Sequence, residues 1–88
     1  MSKVRERVSE LYVEVLVEGG GSVPEAGFTD DQVLLESGLD SMGFAILVTR
    51  IEEDLGYDPF VLMSDPVYPR TLGEFLSIYE KYADHASF

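Results

Sequence analysis

The chain has 88 residues, of which 45% are hydrophobic and none is cysteine, and its 6 basic and 17 acidic side chains give a net charge of −11. That length allows one small domain, 1–88, which buries only about three-fifths of its unfolded surface and so excludes large enzymes with deep enclosed sites. The negative field excludes nucleic-acid binding, which needs Lys and Arg to neutralise phosphates, and it opposes an anionic membrane surface. The apolar fraction is too high for an acidic disordered tail. Without thiols there is no disulfide, thiolate zinc site or cysteine nucleophile, so stability rests on packing.

The first predicted element is an amphipathic helix over 3–18. Val4, Val8, Leu11, Val15 and Leu16 form its apolar stripe, Arg5, Glu6, Glu10, Glu14 and Glu18 its wet face, and Ser2 a cap. The charges at Glu10, Glu14 and Glu18 interrupt the apolar stretch that a signal peptide requires. No apolar run reaches the roughly 18 residues of a transmembrane helix, so the expected setting is cytoplasmic, without membrane insertion. Gly19-Gly20-Gly21-Ser22-Val23-Pro24 stops the helix. A loop of some twenty residues follows, long enough to need pinning, for which Phe28, Val33, Leu34, Leu35 and Leu39 are available.

A second helix is expected over 41–55, capped by Asp40 or Ser41, striped by Phe44, Leu47, Val48, Ile51 and Leu55, and ended by Gly56. Pro59 suits the first position of a short helix over 59–64, which Pro66 closes. Thr71-Leu72-Gly73-Glu74 reads as a capping box opening a last helix over 71–83. With no sustained period-two alternation, no sheet is expected. The fold class is all-α: a small four-helix bundle of three longer helices and one short one, with function on its surface.

Charge is unevenly spread, since residues 19–58 hold nine carboxylates against one arginine, Arg50. Either this is a solubilising surface or it steers a basic partner. Self-contained catalysis finds no support. A nucleophile elbow at Ser41 needs glycines on both sides and a preceding strand, and only Gly43 fits. The sole histidine, His85, sits in the C-terminal tail as a solvated residue. Asp30/Asp31 and Glu52/Glu53 are sequence neighbours that point apart, and no calcium-loop spacing occurs. The chain is expected to be no enzyme and to bind no metal.

Ser41 itself reads at its plainest as an N-cap. Yet Leu39-Asp40-Ser41-Met42 after Gly38, the Leu34/Leu35 pair, Glu52-Glu53-Asp54-Leu55-Gly56, the short third helix and Thr71-Leu72 together resemble an acyl carrier protein along nearly the whole chain. The resemblance implies that Ser41 is esterified by phosphopantetheine from coenzyme A and that Asp40 is recognised by the phosphopantetheinyl transferase. The arm's thiol, which a cysteine-free chain lacks, then holds an acyl or aminoacyl group as a thioester.

Partner docking is expected on Met42, Ala45, Ile46, Thr49, Glu52 and Glu53, with Met42 otherwise a partly buried packing residue. Met42, Ala45 and Ile46 stand where carriers of fatty acid synthesis usually bear acidic residues. The string Leu-Asp-Ser-Met-Gly is also similar to D-alanyl carriers and to carriers served by adenylating ligases. The expected function is thus a discrete, monomeric carrier in a specialised pathway, loaded by a dedicated acyl or aminoacyl ligase or acyltransferase. The alternatives are an unmodified acidic interaction module and a housekeeping fatty acid synthesis carrier.

Overall fold

The computed structural model describes residues 3–21, 27–34, 39–64 and 69–86. The expected roles of Ser2, of Ser22, Val23 and Pro24, of Leu35, of Gly38 and of Pro66 lie outside the described residues. The chain folds into α1 (Lys3–Glu18), α2 (Ser41–Leu55), α3 (Pro59–Leu62) and α4 (Leu72–Lys81), as the all-α reading expects. Among the described residues there is no strand, only one isolated antiparallel bridge between Val33 and Thr71.

α1 packs against both α2 and α4. Its buried face is the expected stripe plus Tyr12, whose ring meets the edge of Phe28 at 5.2 Å while its hydroxyl accepts from Gln32 Nε2 at 3.2 Å. Tyrosine joins the core here because its polar tip has a partner. At the helix end Gly20 adopts φ 94°, and the Gly20 and Gly21 amides donate back to the Val17 and Leu16 carbonyls at 3.1 and 2.9 Å. This double bond pair is the Schellman arrangement that a left-handed glycine permits.

α2 keeps its expected bounds, whereas α3 and α4 depart from theirs at their ends. α3 is a single turn in which Asp58 accepts from the Phe60 amide, Pro59 is buried at the first position, and Met63 is already extended. It therefore stops at Leu62 rather than residue 64. α4 starts after its cap, Thr71, whose Oγ1 accepts from the Glu74 amide at 3.2 Å. The return half of the capping box lands one residue early, with Glu74 Oε2 accepting from Arg70 N–H at 2.7 Å. Tyr82 leaves helical geometry, so α4 ends at Lys81 and the chain continues as a 3-10 turn, Ala83–His85.

The first loop is pinned, but not as expected at every position. Leu34 and Leu39 are buried and Phe28 is half-buried, whereas the Val33 side chain points outward. What holds the segment around Val33 is backbone. Gly73 N–H donates to Asp30 O (2.9 Å), Leu72 N–H to Gln32 O (2.8 Å) and Leu34 N–H to Arg70 O (3.0 Å). Gly73 is required for this approach, because a Cβ there would stand 2.7 Å from the Asp30 Cβ.

Three arginines tie elements distant in sequence. Arg5 reaches Asp30 (2.6 Å) and Glu80 (3.1 Å), Arg7 holds Asp54 of α2 through two hydrogen bonds, and Arg50 holds Glu18. The Asp54 carboxyl is held below its usual range by the Arg7 guanidinium. In the core, Tyr57 Oη donates to the Tyr79 carbonyl at 2.7 Å, and burial raises the pKa of the Tyr79 hydroxyl, which has no protein partner among the described residues. Gly73→Ala is expected to lower stability by about 1–3 kcal/mol despite alanine's better helix propensity, because the added methyl must displace the Asp30 backbone. Urea unfolding measures it, as a lower midpoint at unchanged slope.

Candidate functional site

The start of α2 is built by three neighbours with separate tasks. Leu39 is buried and fixes the incoming chain to the core. Asp40, in extended conformation at φ −91°, is the N-cap: its Oδ1 accepts from Gly43 N–H at 2.7 Å and its carbonyl accepts from Phe44 N–H at 2.9 Å. Gly43 keeps this turn tight, since a Cβ there would lie 3.0 Å from Leu39 Cδ1 and 3.2 Å from Asp40 Oδ1.

Ser41 is therefore the first helical residue and not the cap, a correction to its plainest reading. The cap requires extended backbone, which Asp40 has and Ser41 does not. Ser41 is exposed, and its hydroxyl bonds to no described residue. Helix geometry also leaves the amides of the first turn without intrahelical acceptors, and they form the positive end of the α2 dipole. An anion esterified to Ser41 fits this environment, beside first-turn amides that the single Asp40 cap does not exhaust.

Down the outer face from Ser41 runs an open depression lined by Met42, Ala45, Ile46, Thr49, Arg50 and Glu53. Met42 is 73% exposed and Ile46 46%, so the alternative reading of Met42 as a partly buried packing residue fails. The physical reason is register: Met42 lies on the side of α2 opposite Leu47, Ile51 and Leu55, which face the core. Thr49 is exposed, with its hydroxyl turned back to the Ala45 carbonyl at 3.0 Å. Five of the six residues expected to dock partners thus share one surface. The sixth, Glu52, is exposed but does not line it.

Sequence reasoning missed Glu18. The Arg50 guanidinium donates to both Glu18 oxygens, at 2.7 and 3.1 Å, and these hydrogen bonds hold the Glu18 carboxyl below its usual range. Arg50 also feels Glu14 and Glu53. The pair spans 32 positions from α1 to α2, and no local pattern announces it. The one clue is that Arg50 is the lone cation between residues 19 and 58.

Other candidates are placed elsewhere. His85 is exposed but not in a loose tail: it lies in the 3-10 turn with its ring 6.1 Å from Tyr57 and 6.3 Å from Tyr82. Tyr57 follows the C-terminal end of α2, while Ser41 opens its N-terminal end some 20 Å away by helix rise. Asp30 is engaged by Arg5. Among the described residues no group of three or more His, Cys, Asp or Glu side chains is arranged to hold a metal ion, and no helix is long and apolar enough to cross a membrane.

Residues 20–61 match the family model of the phosphopantetheine attachment site. No curated protein and no solved structure matches the chain. The family match supports membership of the acyl carrier protein family, and the four-helix fold agrees with it. The matched domain is the attachment site for covalent phosphopantetheine, which supports a phosphopantetheine-carrier protein. Carrier domains of this class work with a phosphopantetheinyl transferase and with acyl-using enzymes.

The capping geometry separates two roles for Asp40. Asp40→Ala is expected to cost about 1 kcal/mol of stability through loss of the cap, whereas Asp40→Asn, which keeps an oxygen acceptor, costs little. Thermal unfolding followed by circular dichroism distinguishes them, and equal loss in both variants contradicts the capping role.

Proposed function

We propose that Ser41 is the residue that carries the arm and that the protein presents an acyl or aminoacyl thioester to the enzymes of a specialised biosynthetic pathway. One observation carries this reading: within the matched segment the serine hydroxyl is exposed at the first helical position, while its neighbour Asp40 does the capping.

In the transfer, Ser41 Oγ bonds to the phosphorus that bears pantetheine in coenzyme A and the anhydride bond breaks. Adenosine 3′,5′-bisphosphate leaves, and the serine proton passes to a base of the transferase. The first-turn amides of α2 offset the charge of the resulting phosphodiester. Asp40 is exposed and binds Gly43 through Oδ1, which leaves Oδ2 available to the transferase near its metal. Once bound, the arm supplies the thiol that the cysteine-free chain lacks, on a tether that holds cargo near each partner at roughly millimolar effective concentration.

On this reading the protein acts as a cytoplasmic, monomeric, non-catalytic carrier loaded by an acyl or aminoacyl ligase or acyltransferase. The docking face favours a specialised pathway over housekeeping fatty acid synthesis. Met42, Ala45 and Ile46 make its upper half apolar, and Glu18 neutralises its one arginine.

Intact mass after incubation with coenzyme A and a broad-range phosphopantetheinyl transferase tests the attachment. One arm is expected on wild type and none on Ser41→Ala. No gain in wild type, or an equal gain in the variant, favours an unmodified interaction module instead. The docking face has its own test, in the rate of loading by a basic partner at low salt. Glu53→Lys is expected to slow loading more than Glu52→Lys, since only Glu53 lines the depression. Equal, unchanged rates reduce the acidic field to a solubility device.

A further inference from the structure

An apolar group tethered at Ser41 stands next to the bundle's own apolar interior, and it can either enter that interior or stay outside. The space between α2, α3 and α4 is filled by rings. Phe44, one turn below Ser41, meets Phe60 of α3 at 6.5 Å and Phe75 of α4 at 5.5 Å between centroids. Phe60 stacks on Phe75 at 6.5 Å and meets the edge of Tyr79 at 6.1 Å, and Phe75 meets Tyr79 at 5.1 Å. Tyr57 closes the far end against Tyr79 at 6.0 Å.

Phe75 and Tyr79 are fully buried, and the outer pair, Phe44 and Phe60, is only partly covered. Phe60 cannot swing away cheaply, because its helix is a single turn anchored by buried Pro59 and by the Asp58 cap. On the other side of the attachment residue Leu39 fills the gap beside Gly43. Rings in contact at these separations leave few voids larger than a water molecule, so a methylene chain enters by pushing the rings apart. The dispersion attraction that large rings forfeit on separating offsets what the chain gains by leaving water.

We propose that the aromatic cluster of Phe44, Phe60, Phe75 and Tyr79 keeps the carried group out of the bundle, so that the cargo rides in solvent and partners take it without extracting it from the core. This rests on the attachment reading above, and it points to short or polar cargo, which water tolerates.

The test is a chain-length series: acetyl, butyryl and octanoyl forms of the holo-protein, each verified by intact mass and then unfolded thermally. The expected result is one common melting midpoint, with unchanged NMR shifts for the rings of Phe44, Phe60 and Phe75. A midpoint that climbs with length, by several degrees for each pair of carbons buried, overturns the proposal. So does a length-dependent ring shift. In Phe60→Ala, which vacates part of the cluster, a length dependence is expected to appear, and its absence in a folded variant overturns the role given to the rings. Should that variant not fold, the wild-type series decides. The two readings fail separately: no added mass means that Ser41 takes no arm, whereas an added arm with a climbing midpoint refutes only exclusion.

Discussion

The placement of Ser41 depends on a short stretch of backbone pairing between the first loop and the start of α4. Three hydrogen bonds, from Gly73, Leu72 and Leu34, join residues some forty positions apart without using a side chain. They fix the middle of a connection that would otherwise wander at substantial entropic cost. With Leu34 and Leu39 sunk into the core on either side of residues 35–38, α2 can begin at one place only, and Ser41 opens it at the surface.

The protein uses its few cations in the same way. Of six basic residues, Arg5, Arg7 and Arg50 each join elements far apart in sequence, α1 to the loop and α4, α1 to α2, and α2 back to α1. Such exposed pairs add little stability one at a time. Their larger effect is on the surface field. Pairing cancels the positive charges locally, so the carboxylates left over, Glu52 and Glu53 among them, set the potential that an approaching partner meets.

Much of this was legible in the sequence. Helical spacing marked α1 and α2 along their full lengths, and the Thr71-Leu72-Gly73-Glu74 string marked the start of α4, because periodicity and capping are local properties. The exposed neighbourhood of Ser41 followed from the same spacing, which places Met42, Ala45 and Thr49 opposite the core stripe. What could not be read is what depends on distant partners. Val33 looks like a core residue and stays exposed, at the centre of a bridge that the backbones of its neighbours Gln32 and Leu34 make, and Tyr12 looks amphipathic and is buried because Gln32 meets its hydroxyl. Glu18 looks like one more solvated acid until Arg50 is seen to reach it from α2. The division between Asp40 and Ser41 was ambiguous for a different reason: both residue types cap helices well, and only backbone geometry decides.

That division has a practical consequence. The side chain that holds the helix end and the side chain proposed to take the arm are adjacent but independent, so the second can be removed while the first keeps the fold intact. On the proposed reading, a chain with alanine in place of Ser41 is a blank of the carrier. It offers enzymes the same apolar and acidic face with nothing to hand over, and so occupies every partner that recognises the protein surface and none that waits for the thiol.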